Sequence, residues 1–527
     1  MAQKTKRVDI FDSTLRDGAQ GEGISFSVTD KLNIVKALDK LGVAYIEAGN
    51  PFSNPKELEF FEKVKGLTLK NARLTAFGST RRRDAKVAED GNVKSLLAAG
   101  TPVCAIFGKA WDFHATEILK TTLQENLNMI DETVSFLREN GREVVFDAEH
   151  FFDGYKHNPA YAIEALKKAA AAGASTLCLC DTNGGCFPDE IEAIVKAVKQ
   201  AVRGAALGIH THNDAALAVA NSLMAVGAGA TQVQGTLIGI GERTGNANLC
   251  EIIGNLQLKR GYRCIPPENM SGLCAAAHAV AEIANVRLNK FMAYVGKSAF
   301  AHKAGMHIDG VHKASAAFEH VDPAAVGNGR RFLMSEVGGR SSILEKVQKL
   351  DPTVGKDSPV TKELAEAVKA LEYRGYQFEG AEASFELLVR KYLGAYKPFF
   401  KLEKFKVIAE QNTGEAYAPA TALVKVSVGG SVELTAAEGN GPVNALDIAL
   451  RRALERFFPR LREFKLTDYK VRILDSRETS SAVTRVLIES GDGLETFNTV
   501  GVSRDIIEAS LLALVDAIEY KLTRDQG

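Results

Sequence analysis

Residues 176–212, "TLCLCDTNGGCFPDEIEAIVKAVKQAVRGAALGIHTH", hold one apolar run, a segment of helical spacing, a glycine and a second apolar run. The first run, "TLCLCDT" (176–182), ends in Asp181 and Thr182; the second, "LGIHTH" (207–212), ends in His210 and His212. In an extended strand, residues two apart share a face, so the two imidazoles point the same way. Taken alone, the pair is either a grip on one ion or two buried histidines with ordinary partners. The rest of the chain has to decide.

The same unit recurs through the first half. The runs "VDIFD" (8–12), "AYIEAG" (44–49), "RLTAFG" (73–78), "VCAIFG" (103–108), "EVVFDAEH" (143–150) and "TQVQGTL" (231–237) complete a set of eight. Between them apolar residues return about once per helical turn, as at Leu32, Val35, Leu38 and Leu41. Gly42, Gly66, Gly100, Gly141, Gly173, Gly204, Gly227 and Gly261 are placed to close the eight helices. Eight such strand–helix units predict an α/β fold, a (β/α)8 TIM barrel over residues 5–265. A doubly wound open sheet is the second reading. It would more often carry a Gly-rich dinucleotide loop after the first strand, or a GxxxxGK[ST] loop, and neither occurs.

Past residue 265 the pattern changes. Residues 266–395 read as mostly helical linker subdomains, with "DPTVGKDSPVT" (351–361) as a linker or surface turn. Residues 396–523 read as a C-terminal α+β domain, each half running strand, strand, Gly-containing loop, helix, as a duplicated unit would.

Composition narrows the function. Lys+Arg 65 balances Asp+Glu 65, which argues against a nucleic-acid surface or a polybasic membrane patch. No apolar run reaches membrane-spanning length, and "MAQKTKRVDIFDSTLRDG" lacks the apolar core of a signal peptide. The seven scattered cysteines read as reduced thiols, and the chain as cytoplasmic. Cys178, Cys180 and Cys186 read as small core residues rather than a metal cluster, because no second CxxC-type pair exists.

A TIM barrel places its chemistry at the C-terminal strand ends. Those ends carry Asp12 with Arg16 and Asp17 just beyond, Glu47, Asp147 and Glu149, Asp181 and Thr182, His210 and His212, and then "GERTGNAN" with Glu242, Arg243 and Asn246. The histidines offer two nitrogen ligands, Asp17 a hard oxygen and Asn246 a carbonyl oxygen; such a set suits Mn²⁺, Zn²⁺, Co²⁺ or Mg²⁺. Asp214 is an acceptor behind the histidines or a helix N-cap. Arg16 either only pairs with a nearby acid or, beside such a metal, polarises a carbonyl oxygen and stabilises the alkoxide that replaces it.

"DSTLRDGAQ", "HTHND" and "GERTGNANL" resemble the family of 2-isopropylmalate, homocitrate and citramalate synthases, metal-dependent barrels that condense acyl-CoA with a 2-oxo acid. Within it, "FDAEHFFDGY", "LCDTNGG", "AFAHKAGMHIDGV" and "YQFEGAEASFELL" are most similar to the longer bacterial (R)-citramalate-forming type. The resemblance implies condensation of acetyl-CoA with pyruvate, thioester hydrolysis, a homodimer and a C-terminal domain that binds isoleucine as effector. It assigns Asp17, His210, His212 and Asn246 to the metal, Arg16 to the keto oxygen, Thr182 to the carboxylate and Glu149 to the catalytic carboxylate. His307, with Asp309 nearby, takes the proton-relay position, which the family supplies from the neighbouring subunit. One departure stands out. Where the family often has a tyrosine assisting that relay, "AAFEHVDPAAVG" has Phe318, whose ring cannot exchange a proton.

The alternatives are a sister synthase with another 2-oxo acid, a metal-dependent lyase or aldolase, and an amino-acid sensor with an inactive barrel. Acceptor choice would rest on pocket size, with Asn50, Phe77, Ile106 and Asp147 as lining candidates.

Overall fold

The computed structural model describes residues 6–303, 305–333, 339–355, 358–409, 419–474, 482–492 and 496–526. They form two compact units, Met1–Phe300 with Val321–Arg330, and Ala301–His320 with Arg331–Gly527.

The first unit is a closed barrel of eight parallel strands in sequence order: β1 (Asp9–Asp12), β2 (Tyr45–Glu47), β3 (Arg73–Ser79), β4 (Val103–Lys109), β5 (Glu143–Glu149), β6 (Thr176–Asp181), β7 (Ala206–Thr211) and β8 (Gln232–Gly235). Pairing of Ile10 with Val233 and of Asp12 with Gly235 closes it. The helices are α1 (Val28–Leu41), α2 (Pro55–Val64), α3 (Gly91–Ala98), α4 (Leu123–Glu139), α5 (Phe151–His157), α6 (Pro159–Ala171), α7 (Pro188–Ala201), α8 (Ala218–Ala228), α9 (Leu249–Ile253) and α10 (Leu273–Ile283).

The pleat sorts each strand's side chains. Val144, Phe146, Ala148, Leu177, Leu179, Leu207 and Ile209 face out into the layer beneath the helices. Phe11, Tyr45, Val103, Ala105, Val145, Cys178 and Cys180 face in and form a separate apolar plug. The next inward positions toward the strand ends are Asp147, Glu149, His210 and His212, so the same alternation that builds the plug puts polar groups at the mouth. Local signals start and stop the helices. Ser27 and Asp30 form a reciprocal capping box on α1, and Gly42 ends it at φ 95°.

Three details depart from the sequence reading. Gly66 is not in the left-handed region, and Gly227 lies inside α8, which Gly229 closes at φ 121°. In "VGAGA" two glycines stand two apart, and the helix runs past the first. The β5 unit has two helices because Asn158 caps a new one with Pro159 at its first position.

The second unit contains the two-residue parallel pair β9 (Ala301–His302) and β10 (Arg331–Phe332), then helices α11 (Gly305–Lys313), α12 (Gly339–Leu350), α13 (Pro359–Tyr373) and α14 (Glu382–Tyr392). Two three-stranded antiparallel sheets follow, β11 (Lys401–Ala409), β12 (Ala420–Val428) and β13 (Ser431–Gly439) with α15 (Pro442–Glu455), and β14 (Lys465–Ile473), β15 (Thr484–Gly491) and β16 (Thr496–Ser503) with α16 (Ile506–Gln526). Each repeat therefore has three strands, not two. The additional β11 reads "KLEKFKVIA", where lysines and a bulge between Leu402 and Lys404 mask the period of two, as on many edge strands.

Candidate active site at the mouth of the barrel

The two histidines of the opening stretch meet. His210 Nε2 lies 3.3 Å from His212 Nε2, and Asp17 Oδ2 lies 3.3 Å from the first and 3.8 Å from the second. All three are almost fully buried. Behind His210, Nδ1 stands 3.0 Å from Gln234 Oε1, and Gln234 Nε2 donates to Asp147 Oδ1 at 2.8 Å. The carboxylate fixes which way the amide faces, and the amide oxygen fixes the proton on Nδ1. When His210 is neutral, its Nε2 therefore presents its lone pair toward Asp17 and His212.

Two imidazole nitrogens at that distance, with a carboxylate oxygen beside them, need a positive charge. One proton provides it poorly. Burial opposes charge on His210, but Asp17 outweighs burial and holds its pKa above the ordinary value. Burial, and then His210, push His212 down to about 3. Burial works against the Asp17 anion too, yet Arg16 and the two imidazoles hold it far below the usual carboxylate range.

Other atoms nearby lack partners. Both side-chain polar atoms of Asn246, and His212 Nδ1, are buried with no hydrogen-bond partner among the described residues. Asn246 is bridged to the backbone of His212. An orphaned buried polar atom costs about 1–3 kcal/mol. Orphans beside two imidazoles and a carboxylate fit a divalent cation held by Asp17, His210 and His212, with Asn246 adjoining.

Arg16 is fixed from three sides. Its Nε donates to Glu47 Oε2 at 2.7 Å, Nη1 lies 3.1 Å from Asp17 Oδ2, and the guanidinium sits 4.0 Å from the Phe77 ring centroid. Phe77 in turn stacks on Phe107 at 5.5 Å. Arg16, Asp17, Phe77 and Phe107, with Asp147, Glu149, Cys180, Thr182 and the two histidines, line a cavity of about 260 Å³. Glu149 is ion-paired with Lys109, its register partner on β4. Thr182 Oγ1 accepts the backbone N–H of His150 at 2.9 Å, which leaves the hydroxyl proton free to be donated to a ligand.

Strained backbone surrounds this floor. His150 has φ 52° and Arg243 φ 57°. Arg243 is held by Asp214 at 2.8 and 2.9 Å and donates to the Thr182 carbonyl at 2.7 Å. Asp214 is therefore the anchor of Arg243, and through it the β6, β7 and β8 loops are tied together. Trp111, the one tryptophan of the chain, stacks on His114 at 4.9 Å, with the His150 ring 6.1 Å away.

Of the residues expected from sequence, Arg16, Asp17, Glu149, Thr182, His210 and His212 share the cavity, and Asn246 adjoins it. His307 and Asp309 lie on α11, in the second unit. There the Phe318 ring lies 5.1 Å from His307, and Asp309 pairs with Lys313 at 2.7 Å. Two proposed lining residues do not line the cavity. Ile106 faces outward into the helix layer and Phe107 takes the inward position, while the Asn50 side chain accepts the N–H of Phe52. Glu47 was named from sequence as a strand end without a role, and Lys109 and Gln234 were passed over, being polar residues in strands whose partners come from register alone.

Asp12, fully buried at the end of β1, gives a test by pH. Burial, partly opposed by hydrogen bonds from Thr14, raises its pKa from 3.8 to about 7. Between those values the native state keeps a proton that the unfolded chain has shed, so stability is full below the lower value and is lost as pH rises through the upper one. The three-unit rise corresponds to about 4 kcal/mol at most. Melting of the metal-free protein is expected to fall from pH 5 to pH 8, and Asp12→Asn to flatten that slope; parallel slopes would count against it.

The HMGL-like family matches residues 7–280, the homocitrate synthase post-HMGL domain-like family 294–375, and the LeuA allosteric (dimerisation) domain 379–522. The (R)-citramalate synthase of Aquifex aeolicus is 53% identical over 521 residues, covering 99% of both chains. That of Geobacter sulfurreducens is 50% identical and covers 98% of each. The chain belongs to the (R)-citramalate synthase family. Within the wider group the distances are unequal: the 2-isopropylmalate synthase of Methanocaldococcus jannaschii is 31% identical over 98% of this chain and 95% of its own. Membership in the (R)-citramalate synthase family accounts for the barrel and for a C-terminal repeat of the LeuA type on one chain. Among the described residues no helix is long and apolar enough to cross a membrane.

Proposed function

We propose that this chain condenses acetyl-CoA with pyruvate and hydrolyses the thioester, giving (R)-citramalate and CoA. The observation that carries this reading is whole-length similarity: five (R)-citramalate synthases at 45–53% identity, against 30–31% for the 2-isopropylmalate synthases.

Asp17, His210, His212 and Asn246 would hold the divalent cation; their mixed nitrogen and oxygen donors suit Mn²⁺, Co²⁺ or Zn²⁺ and admit Mg²⁺. When bound, such an ion supplies Lewis-acid polarisation of the keto group. The chain's own residues do the rest. Arg16, held by Glu47 and stacked on Phe77, donates N–H groups to the oxygen that becomes an alkoxide. Thr182 donates its hydroxyl to the pyruvate carboxylate. Glu149 is the carboxylate that receives a proton from the acetyl methyl, and the neighbouring Lys109 ammonium holds its side chain in place. His307 and Asp309 take the proton relay on this reading. It also calls for a cytoplasmic homodimer, isoleucine as the effector of the C-terminal domain (396–523), and helical linker subdomains over 266–395.

Thiol release from acetyl-CoA with pyruvate, 2-oxoisovalerate and 2-oxoglutarate tests the substrate. Pyruvate is expected to be preferred; preference for either other acid defeats the assignment. In the same assay isoleucine is expected to inhibit and leucine to do so less; no response to either removes the proposed effector.

The stacked wall of Phe77 and Phe107 sets a further expectation. Phe107→Ala opens space where a longer acceptor would extend. One methylene in an apolar pocket is worth roughly 10–200-fold in discrimination. The 2-oxoisovalerate to pyruvate ratio of kcat/KM is therefore expected to rise at least about tenfold. An unchanged ratio would mean the wall does not face the acceptor.

A further inference from the structure

The barrel holds a second group of possible ligands. Asp147 on β5 is paired in register with Cys178 on β6, and Cys180 follows two residues later on the same inward face. One donor atom from each lies within 4.8 Å of the others. All three are buried, Cys178 completely. Asp147 and Cys180 also line the cavity, so the group is reached from the mouth. Cys186, the third cysteine of that stretch, is not part of it; its thiol lies 3.5 Å from Lys156 Nζ.

We propose that Asp147, Cys178 and Cys180 form a second cation site, selective for thiophilic divalent ions of the Zn²⁺ and Cd²⁺ class.

Bonds of about 2.3 Å to sulfur and 2.0–2.2 Å to oxygen in a tetrahedron put donors roughly 3.4–3.8 Å apart, within the span of this group. Because Asp147 and Cys180 line the cavity, a water from it would complete the set. Without metal, burial raises Asp147 to about 7 and keeps the Cys178 thiol protonated. Binding therefore releases two thiol protons to solvent, and the carboxyl proton wherever it is present. Gln234 occupies one oxygen of Asp147 and leaves the other for the ion. Two thiolates discriminate against Mg²⁺, which takes oxygen donors, so the site differs in preference from the set at Asp17, His210 and His212. The inference does not depend on which 2-oxo acid the enzyme uses.

The test is a Cd²⁺ titration of the full-length reduced protein in excess Mg²⁺, read by the ultraviolet thiolate-to-cadmium absorption band. Nitrogen and oxygen ligands give no such band, so the first set stays silent. One equivalent of band is expected. It should vanish in the Cys178→Ala/Cys180→Ala variant and require at least tenfold more Cd²⁺ in Asp147→Asn. A wild type without the band, a band that survives in the double variant, or an unchanged affinity in Asp147→Asn each overturns the three-donor site. A second readout needs no core substitution. Cd²⁺ should slow alkylation of Cys178 and Cys180 in the wild type while leaving the buried Cys250 at its own rate, followed by peptide mass. Equal slowing of all three overturns the proposal.

Discussion

Asp17→Asn is expected to abolish useful cation binding and, with it, turnover. Among the described residues Asp17 is the one carboxylate within reach of both imidazoles, and it also faces the Arg16 guanidinium at 3.1 Å. Removing its charge leaves two imidazoles and an arginine around the place where the proposed divalent ion would sit. A unit charge at about 4 Å under an effective dielectric near 20 is worth roughly 4 kcal/mol, about a thousandfold in an equilibrium constant. Mn²⁺ affinity by calorimetry and kcat/KM with pyruvate should both fall on that scale. Excess metal should restore part of the rate. Affinity for Mn²⁺ within a few-fold of the wild type would remove Asp17 from the ligand set. A retained melting profile in the metal-free state separates this from misfolding.

Arg16→Lys should cost almost as much by a different route. A lysine keeps the positive charge but cannot hold Glu47 through Nε, Asp17 through Nη1 and the Phe77 face at once. Loss of a preorganised donor at a developing oxyanion typically costs 10²- to 10³-fold in kcat, and a loss of about that size is expected here. Mn²⁺ affinity should change little, which distinguishes this variant from Asp17→Asn. A kcat within about threefold of the wild type would show that the guanidinium fork is not aimed at the reacting oxygen.

Much of the candidate site is legible in the sequence. The eightfold recurrence of apolar run and helix dictates a barrel, and a barrel converts distant strand ends into neighbours; that is how Asp17 reaches His210 and His212. What was hidden follows from the same architecture. "VCAIFG" is apolar on both faces, because an inner strand packs against the plug on one side and the helices on the other, so its phase could not be read. Ile106 was named where Phe107 lines the cavity. Links between strands were also invisible, since register decides them: Lys109 beside Glu149, Cys178 beside Asp147, Gln234 between His210 and Asp147. The cysteines looked inert along the chain because their carboxylate neighbour belongs to another strand.

The position of Trp111 has a practical consequence. A single indole stacked on one imidazole and close to a second gives the full-length protein an unlabelled optical reporter. His150, the second of these rings, gives its backbone N–H to Thr182. Emission from that indole is therefore expected to follow the loop that would receive the carboxylate, so that binding of a 2-oxo acid is timed by fluorescence separately from the chemistry that follows.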